Sequence, residues 1–210
     1  MRTVIDLQKW DRKELFNHYN KETNPFVIIN TPIDITNVYN YCKSSDNSIY
    51  ATIGYLITKT VNSIEEFKFR KENDEIILYD KVHGNFTENI DNKIIGFFTI
   101  KNDDTYKDFI EEFNSKRDGL NIAKKSETSV TKYNEVWMSC VPWFEFNSAV
   151  PPFNKENTIP QFIWDKFKKE NDIVKTNLMI MVHHGFVDGY HIGKFINLLQ
   201  ENINNFKGEE

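Results

Sequence analysis

The stretch Met179-Ile-Met-Val-His183-His184-Gly-Phe-Val-Asp188-Gly189-Tyr-His191 changes structural character within a few residues. Leu178 to Val182 make an unbroken apolar run of strand length and read as a buried strand. Ile192, Phe195, Ile196 and Leu199 then recur at i, i+3, i+4 and i+7, the inward stripe of a helix. The histidines and the Asp-Gly pair fall between, where strand gives way to loop and loop to helix. Such a junction is held by scaffold on both sides and still reaches the edge of the fold, so it suits a reactive side chain.

Outward from this junction the chain alternates in period. Residues 10 to 19 read as a short helix, Thr36 as the cap of a second with Val38, Tyr41 and Cys42 inward, and Ile49, Ile53, Leu56, Ile57 and Val61 as the stripe of a third. Ser63-Ile-Glu-Glu66 fits a capping box that would start another short helix. Glu75 to Tyr79, Asn85 to Thr87 and Ile94 to Ile100 are β-branched or aromatic and bounded by Asp, Asn and Gly, as strands are. Tyr106, Phe109, Ile110 and Phe113 restore helical spacing, residues 116 to 132 read as a polar loop or partly helical excursion, and strand-like runs return near 135–146 and 175–183. Pro151-Pro152 and Pro160 punctuate the segment between those two runs. With no repeat and no composition break, the expected architecture is α/β: one domain over residues 1–210, a two-layer sandwich in which helices cover a mixed β-sheet.

Composition narrows the partners. A 210-residue chain with 40% hydrophobic residues can bury a sizeable core. Its 26 basic against 31 acidic residues give a net charge of -5, which argues against a general electrostatic hold on nucleic acid or an anionic membrane. Only Cys42 and Cys140 are present, no N-terminal signal-like apolar region is seen, and no apolar run approaches the roughly 20 residues of a membrane helix. A reducing cytoplasm is the expected address. The aromatic cluster from Val136 to Phe146 reads as core, with some rings left to line a pocket or a subunit contact.

Three chemistries suit the histidine segment. His183, His184, Asp188 and His191 offer metal-ligand types, yet neighbouring strand side chains point to opposite faces, so the expectation is no metal. Alternatively His184 is a general base, with Asp188 either fixing its ring directly or forming an ion pair that shapes the loop. In the third reading the histidines are hydrogen-bonded turn residues and Asp188 is simply a helix cap.

His183-His184-Gly-Phe-Val-Asp188-Gly189 resembles the His-His-x-x-x-Asp-Gly signature of the chloramphenicol acetyltransferase family, close variants of which occur in lipoamide-linked acyltransferases and peptide-synthetase condensation domains. Trp10-Asp-Arg12-Lys-Glu-Leu-Phe16, Ile33 to Thr36, Glu66-Phe67, Glu75 to Asp80, Ser139-Cys-Val-Pro142-Trp143 and Phe195 to Gln200 resemble further family landmarks in family order, so the resemblance spans nearly the whole chain. It implies a homotrimer with active sites at subunit interfaces, acetyl-CoA as donor, and direct transfer to a small hydroxyl-bearing acceptor. It further implies that His184 is the base with its tautomer fixed by its own carbonyl, that His183 is structural, that Arg12 pairs with Asp188, and that Ser139 donates to the oxyanion. A buried Arg12–Asp188 pair would cost roughly 3–5 kcal/mol to break. Lys166 matches a lysine that could meet a phosphate of CoA, and Tyr19 keeps a pocket tyrosine.

The acceptor side departs from the family pattern. Thr23 and Val27 stand where larger apolar or aromatic residues are usual, Ala149, Pro151 and Phe153 replace a more characteristic run, Ile163 replaces a threonine, and Ser48 replaces a lysine associated with the cofactor. The leading expectation is O-acetylation of chloramphenicol or a similar small molecule. The alternatives are transfer of another acyl group, transfer to a thiol or amine, and a non-catalytic trimer that binds a small ligand.

Overall fold

The apolar run before the histidines becomes an eleven-residue strand, Ile173–His183, whose last six residues are all buried. In the computed structural model, which describes residues 1–123 and 133–208, the elements follow in the order β1 (Arg2–Val4), α1 (Lys13–Tyr19), β2 (Phe26–Asp34), α2 (Thr36–Ser45), α3 (Ile49–Asn62), β3 (Phe69–Glu72), β4 (Glu75–Tyr79), β5 (His83–Ile90), β6 (Ile94–Thr99), α4 (Tyr106–Ala123), β7 (Glu135–Val141), β8 (Gln161–Asp165), β9 (Lys168–Glu170), β10 (Ile173–His183) and α5 (Gly189–Asn205). The main sheet is mixed, in the order β2-β10-β8-β7-β5-β6, with β9 paired to β10. Strands β5, β7 and β8 run parallel, while β10 is antiparallel to both of its neighbours. A separate three-stranded sheet, β1-β4-β3, takes Glu75–Tyr79 out of the main sheet.

Helices cover one face of the main sheet, as the hydrophobic spacing predicts. Phe162 and Trp164 of β8, Met138 of β7 and Phe86 of β5 turn into that core and are at most 2% exposed. Helix α3 is buried nearly all round; its Thr52, Thr58 and Thr60 hydroxyls donate to the carbonyls of Ser48, Gly54 and Leu56, so the core position leaves no hydroxyl unsatisfied. On the opposite face the alternate residues Gln161, Ile163, Trp137, Ser139 and Thr87 are only half-buried, and Ile95 and Phe97 of β6 are exposed. The crossover from β7 to β8 lies over the β2 side of this face: Phe153 meets the Phe26 ring edge-on at 5.3 Å, and the Ala149 amide donates to Asn30. Among the described residues the β7-β5-β6 half is left partly open, with Ile95 and Phe97 exposed.

Several local expectations shift. Thr36 is the first helical residue of α2 rather than its cap; its hydroxyl bonds the Asp34 carboxylate and accepts from the Val174 amide. The capping box at Ser63 does not form, because Ser63 ends α3 with its hydroxyl on the Lys59 carbonyl, and Glu66 instead faces His191 across 3.4 Å. Of the excursion expected over residues 116–132, the part up to Ala123 continues α4, and 124–132 lie outside the described residues. The fully buried Arg70 donates to the carbonyls of Phe67, Phe69, Tyr133 and Glu135 and so ties β3 to the start of β7. Among the described residues no helix is long and apolar enough to cross a membrane.

Candidate active site

The loop after β10 is packed from below by α1. Gly185 lies so close to Phe16 that a Cβ there would come within 2.9 Å of the Phe16 backbone, which explains the glycine after the two histidines. His183 points into the fold, 1% exposed, among the rings of Phe16, Phe26 and Phe186, and its Nδ1 accepts from the Gly185 amide at 3.1 Å. Burial, helped by the charges of Lys71 and His184, pushes its pKa down to about 4. An unfolded histidine takes its proton near pH 6.5, so the folded state resists a proton that the unfolded state accepts. His183 therefore stabilises the fold fully above about pH 6.5 and loses roughly 3 kcal/mol of that contribution as the pH falls towards 4. Denaturant unfolding between pH 7 and pH 4 is expected to show this loss, and a His183→Asn variant to show a flatter slope.

His184 turns the other way. Its ring is half-buried and stacks on Tyr19, with centroids 4.1 Å apart and planes within 15°. Its amide donates to the Pro25 carbonyl, which anchors the backbone to the start of β2. Nδ1 is buried with no hydrogen-bond partner among the described residues, so the expected bond to its own carbonyl is not made; stacking on Tyr19 and the backbone anchor orient the ring instead.

Asp188 does not touch His184. Its Oδ2 accepts from Arg12 Nη1 at 3.1 Å, while Arg12 Nε donates to the Gly185 carbonyl, so one guanidinium spans both ends of the loop. Asp188 is also the cap of α5, accepting from the Tyr190 amide, and both readings of this residue hold together. His191, in the first turn of α5, reaches back to the loop: its Nδ1 is 2.9 Å from Asp188 Oδ1. Burial pulls the Asp188 carboxyl up, but the Arg12 hydrogen bond and the charges of His191 and Arg12 outweigh it and hold the group below the usual carboxylate range. The stabilisation is present above the ordinary carboxylate pKa near 4 and is lost as the pH falls through the depressed folded value. The two side chains are 19% and 31% exposed, so the pair is not the fully buried one that would cost 3–5 kcal/mol to break. Arg12→Ala is expected to cost about 1.5–3 kcal/mol, read from denaturant unfolding, and to slow catalysis by loosening the loop that carries His184.

Ser139 lies elsewhere, on the partly open half of the sheet between two clefts. One, of about 990 Å³, is lined by Lys43, Lys93, Trp143, Lys166 and Lys169; the other, of about 520 Å³, is lined mainly by Ile95, Phe97, Trp137, Pro151 and Ile163. Lys166 therefore shares a cleft with Ser139. Ser48, which replaces a lysine of the family pattern, caps α3 by accepting from the Ala51 amide. Of the expected acceptor residues, Tyr19 is against His184, Val27 is half-buried on β2 opposite Val182, and Thr23 is exposed in the turn before β2. Residues the sequence reading missed are Thr87 and Tyr50, which contact Ser139 or its strand; no spacing signal links them, since each comes from a different element.

Strand register sets how far Ser139 stands from His184. Met179 pairs with Ile163, and Ile163 with Ser139. His184 is five residues beyond Met179, about 16 Å at the rise of a strand, and two strand spacings add about 10 Å sideways, so the backbone positions of the two residues in one chain stand roughly 19 Å apart. A base and an oxyanion donor that serve one carbonyl must both come within about 3 Å of the reacting atoms. At that separation His184 and Ser139 of one chain do not converge on a single carbonyl.

Over nearly its whole length the chain is similar to known proteins. The family model described as "Chloramphenicol acetyltransferase" matches residues 1–200. A chloramphenicol acetyltransferase of Staphylococcus aureus is 31% identical over 205 residues, covering 94% of this chain and 93% of its own, and chloramphenicol acetyltransferase 3 of Escherichia coli is 29% identical over 210 residues, covering 96% and 97%. Among solved structures, a chloramphenicol acetyltransferase superposes with a TM-score of 0.85 at 21% identity, over 97% of this chain and 100% of the other. A probable dihydrolipoamide acetyltransferase from Listeria monocytogenes has the same fold, with a TM-score of 0.70 at 14% identity over 95% and 96%. With the matched family model spanning residues 1–200 and its histidine loop built as described, this chain belongs to the chloramphenicol acetyltransferase family.

Proposed function

We propose that the chain transfers the acetyl group of acetyl-CoA to a hydroxyl of chloramphenicol or a similar small molecule, at a site that two subunits complete together. The observation that carries this reading is the Ser139 hydroxyl standing between two clefts while His184 of the same chain is out of reach. The larger cleft, with its lysines, suits the phosphates of the donor; the smaller, largely apolar one suits an aromatic acceptor.

In the proposed reaction His184 takes the proton of the acceptor hydroxyl, whose oxygen attacks the thioester carbonyl carbon. A C–O bond forms and the carbonyl oxygen becomes an oxyanion, to which the Ser139 hydroxyl donates. Collapse of the tetrahedral intermediate breaks the C–S bond, and the proton held by His184 passes to the departing thiolate. The products are the acetyl ester and free CoA. No acyl-enzyme is needed, because the attacking hydroxyl belongs to the acceptor.

A homotrimer in which the partly open sheet face of one subunit meets the histidine loop of the next would bring these groups together. The two unpaired cysteines, Cys42 and Cys140, fit a reducing cytoplasm. The test is free-thiol release from acetyl-CoA by the purified protein with and without chloramphenicol. Release that depends on chloramphenicol supports the reading; no release with chloramphenicol or with a wider panel of alcohols, thiols and amines would overturn it in favour of ligand binding without catalysis.

A further inference from the structure

Ser139 can act as a donor only if its own proton is free to point at the reacting carbonyl. Among the described residues its one hydrogen-bond partner is Thr87 Oγ1, 2.9 Å away. Two hydroxyls at that distance share one proton between them, and either can be the donor. If Ser139 donated to Thr87, its proton would be committed and the oxyanion would face a lone pair.

Thr87 is itself held in an uncommon way. The β5–β7 ladder ends at the pair Phe86 and Met138, one residue short of Thr87 and Ser139. The Tyr50 phenol fills the gap: it accepts from the Thr87 amide at 3.2 Å and donates to the Thr87 carbonyl at 3.0 Å, with the Met138 carbonyl 3.4 Å away. A side chain thus does the work of the missing ladder bonds. Its ring is locked edge-on against Phe86 and Phe113. With the Tyr50 proton spent on a carbonyl, and the Tyr50 oxygen 3.4 Å from Thr87 Oγ1, Ser139 Oγ is the nearest acceptor for the Thr87 hydroxyl proton.

We propose that Thr87 is a positioning residue that donates to Ser139 Oγ and so turns the Ser139 proton outward to the oxyanion, with Tyr50 fixing Thr87 in place. This rests on the reading of Ser139 as the oxyanion donor. A hydroxyl that accepts one hydrogen bond is polarised into a stronger donor of its own, so the arrangement strengthens the bond to the oxyanion as well as aiming it.

The test compares Thr87→Val, Thr87→Ser, Ser139→Ala and the double variant Ser139→Ala/Thr87→Val in acetyl-CoA-dependent and chloramphenicol-dependent thiol release, with near-ultraviolet circular dichroism to confirm the fold. Valine matches threonine in shape and puts a methyl group where the hydroxyl stood. Thr87→Val is expected to lower kcat about tenfold with KM for both substrates within about twofold, a fraction of the roughly 100- to 1000-fold cost of losing an oxyanion donor outright. Thr87→Ser, which restores the hydroxyl, is expected within about twofold of wild type, and Thr87→Val is expected to add less than about twofold in the Ser139→Ala background. Full additivity in that background, failure of Thr87→Ser to rescue, or a change confined to KM would overturn the proposal. A wild-type kcat in Ser139→Ala, or a wild-type protein inert towards chloramphenicol, would remove the functional reading itself and the proposal with it; an active wild type with an unaffected Thr87→Val would remove the proposal alone.

Discussion

His184→Ala is expected to lower chloramphenicol-dependent release of free thiol by about 100- to 10,000-fold, the range that a positioned acid–base group contributes. The ring is the only part of His184 that the change removes; the backbone anchor to Pro25 remains, and His183, Gly185 and the Arg12–Asp188 pair keep the loop in shape. The loss is therefore expected in kcat, with KM for both substrates close to wild type and an unfolding free energy within about 1 kcal/mol of it. A His184→Ala enzyme that kept more than a tenth of the wild-type kcat would show that another group takes the acceptor proton.

The second large effect is a recovery. Neither His184→Ala nor Ser139→Ala chains should transfer acetyl efficiently alone. Co-refolded in equal amounts, they should regain about one quarter of the wild-type rate, because an interface works only when one neighbour brings His184 and the other brings Ser139, each with even odds in a ring of heterologous contacts. The strand register motivates the expectation, since it keeps the two groups of one chain roughly 19 Å apart. Activity of the mixture no greater than the mean of the two variants would mean that each subunit carries its own complete site.

How far the sequence foretold this structure varies with the kind of force at work. The strand from Leu178 to Val182 and the stripe Ile192, Phe195 and Leu199 are legible because burial repeats with the geometry of the element. Strand β2 escapes that reading. It contains Asn30, Thr31 and Pro32, which would disqualify a central strand; as the edge of the main sheet it tolerates a proline with no amide to offer. Strand β8 is also missed, being five residues long and entered directly from Pro160. The capping box at Ser63 matched its pattern but lost to tertiary context, since Glu66 has His191 to face. Within the site, the Arg12–Asp188 pair could be placed only through family resemblance, because 176 residues separate its members. The polar contact from Thr87 to Ser139 had no such precedent in the reading; it arises from two parallel strands brought side by side by a helix-bearing crossover, and no local pattern encodes it.

The half of the sheet left partly open also bears on how this protein must be handled. A lone subunit would present Ile95 of β6 to water and, on the crossover from β7 to β8, Trp143, Phe144 and Val150, each more than half exposed. If copies of the chain cover one another there, dilution peels away shelter and function in a single event. Thermal midpoints would then climb with protein concentration, and activity per subunit would fall on dilution.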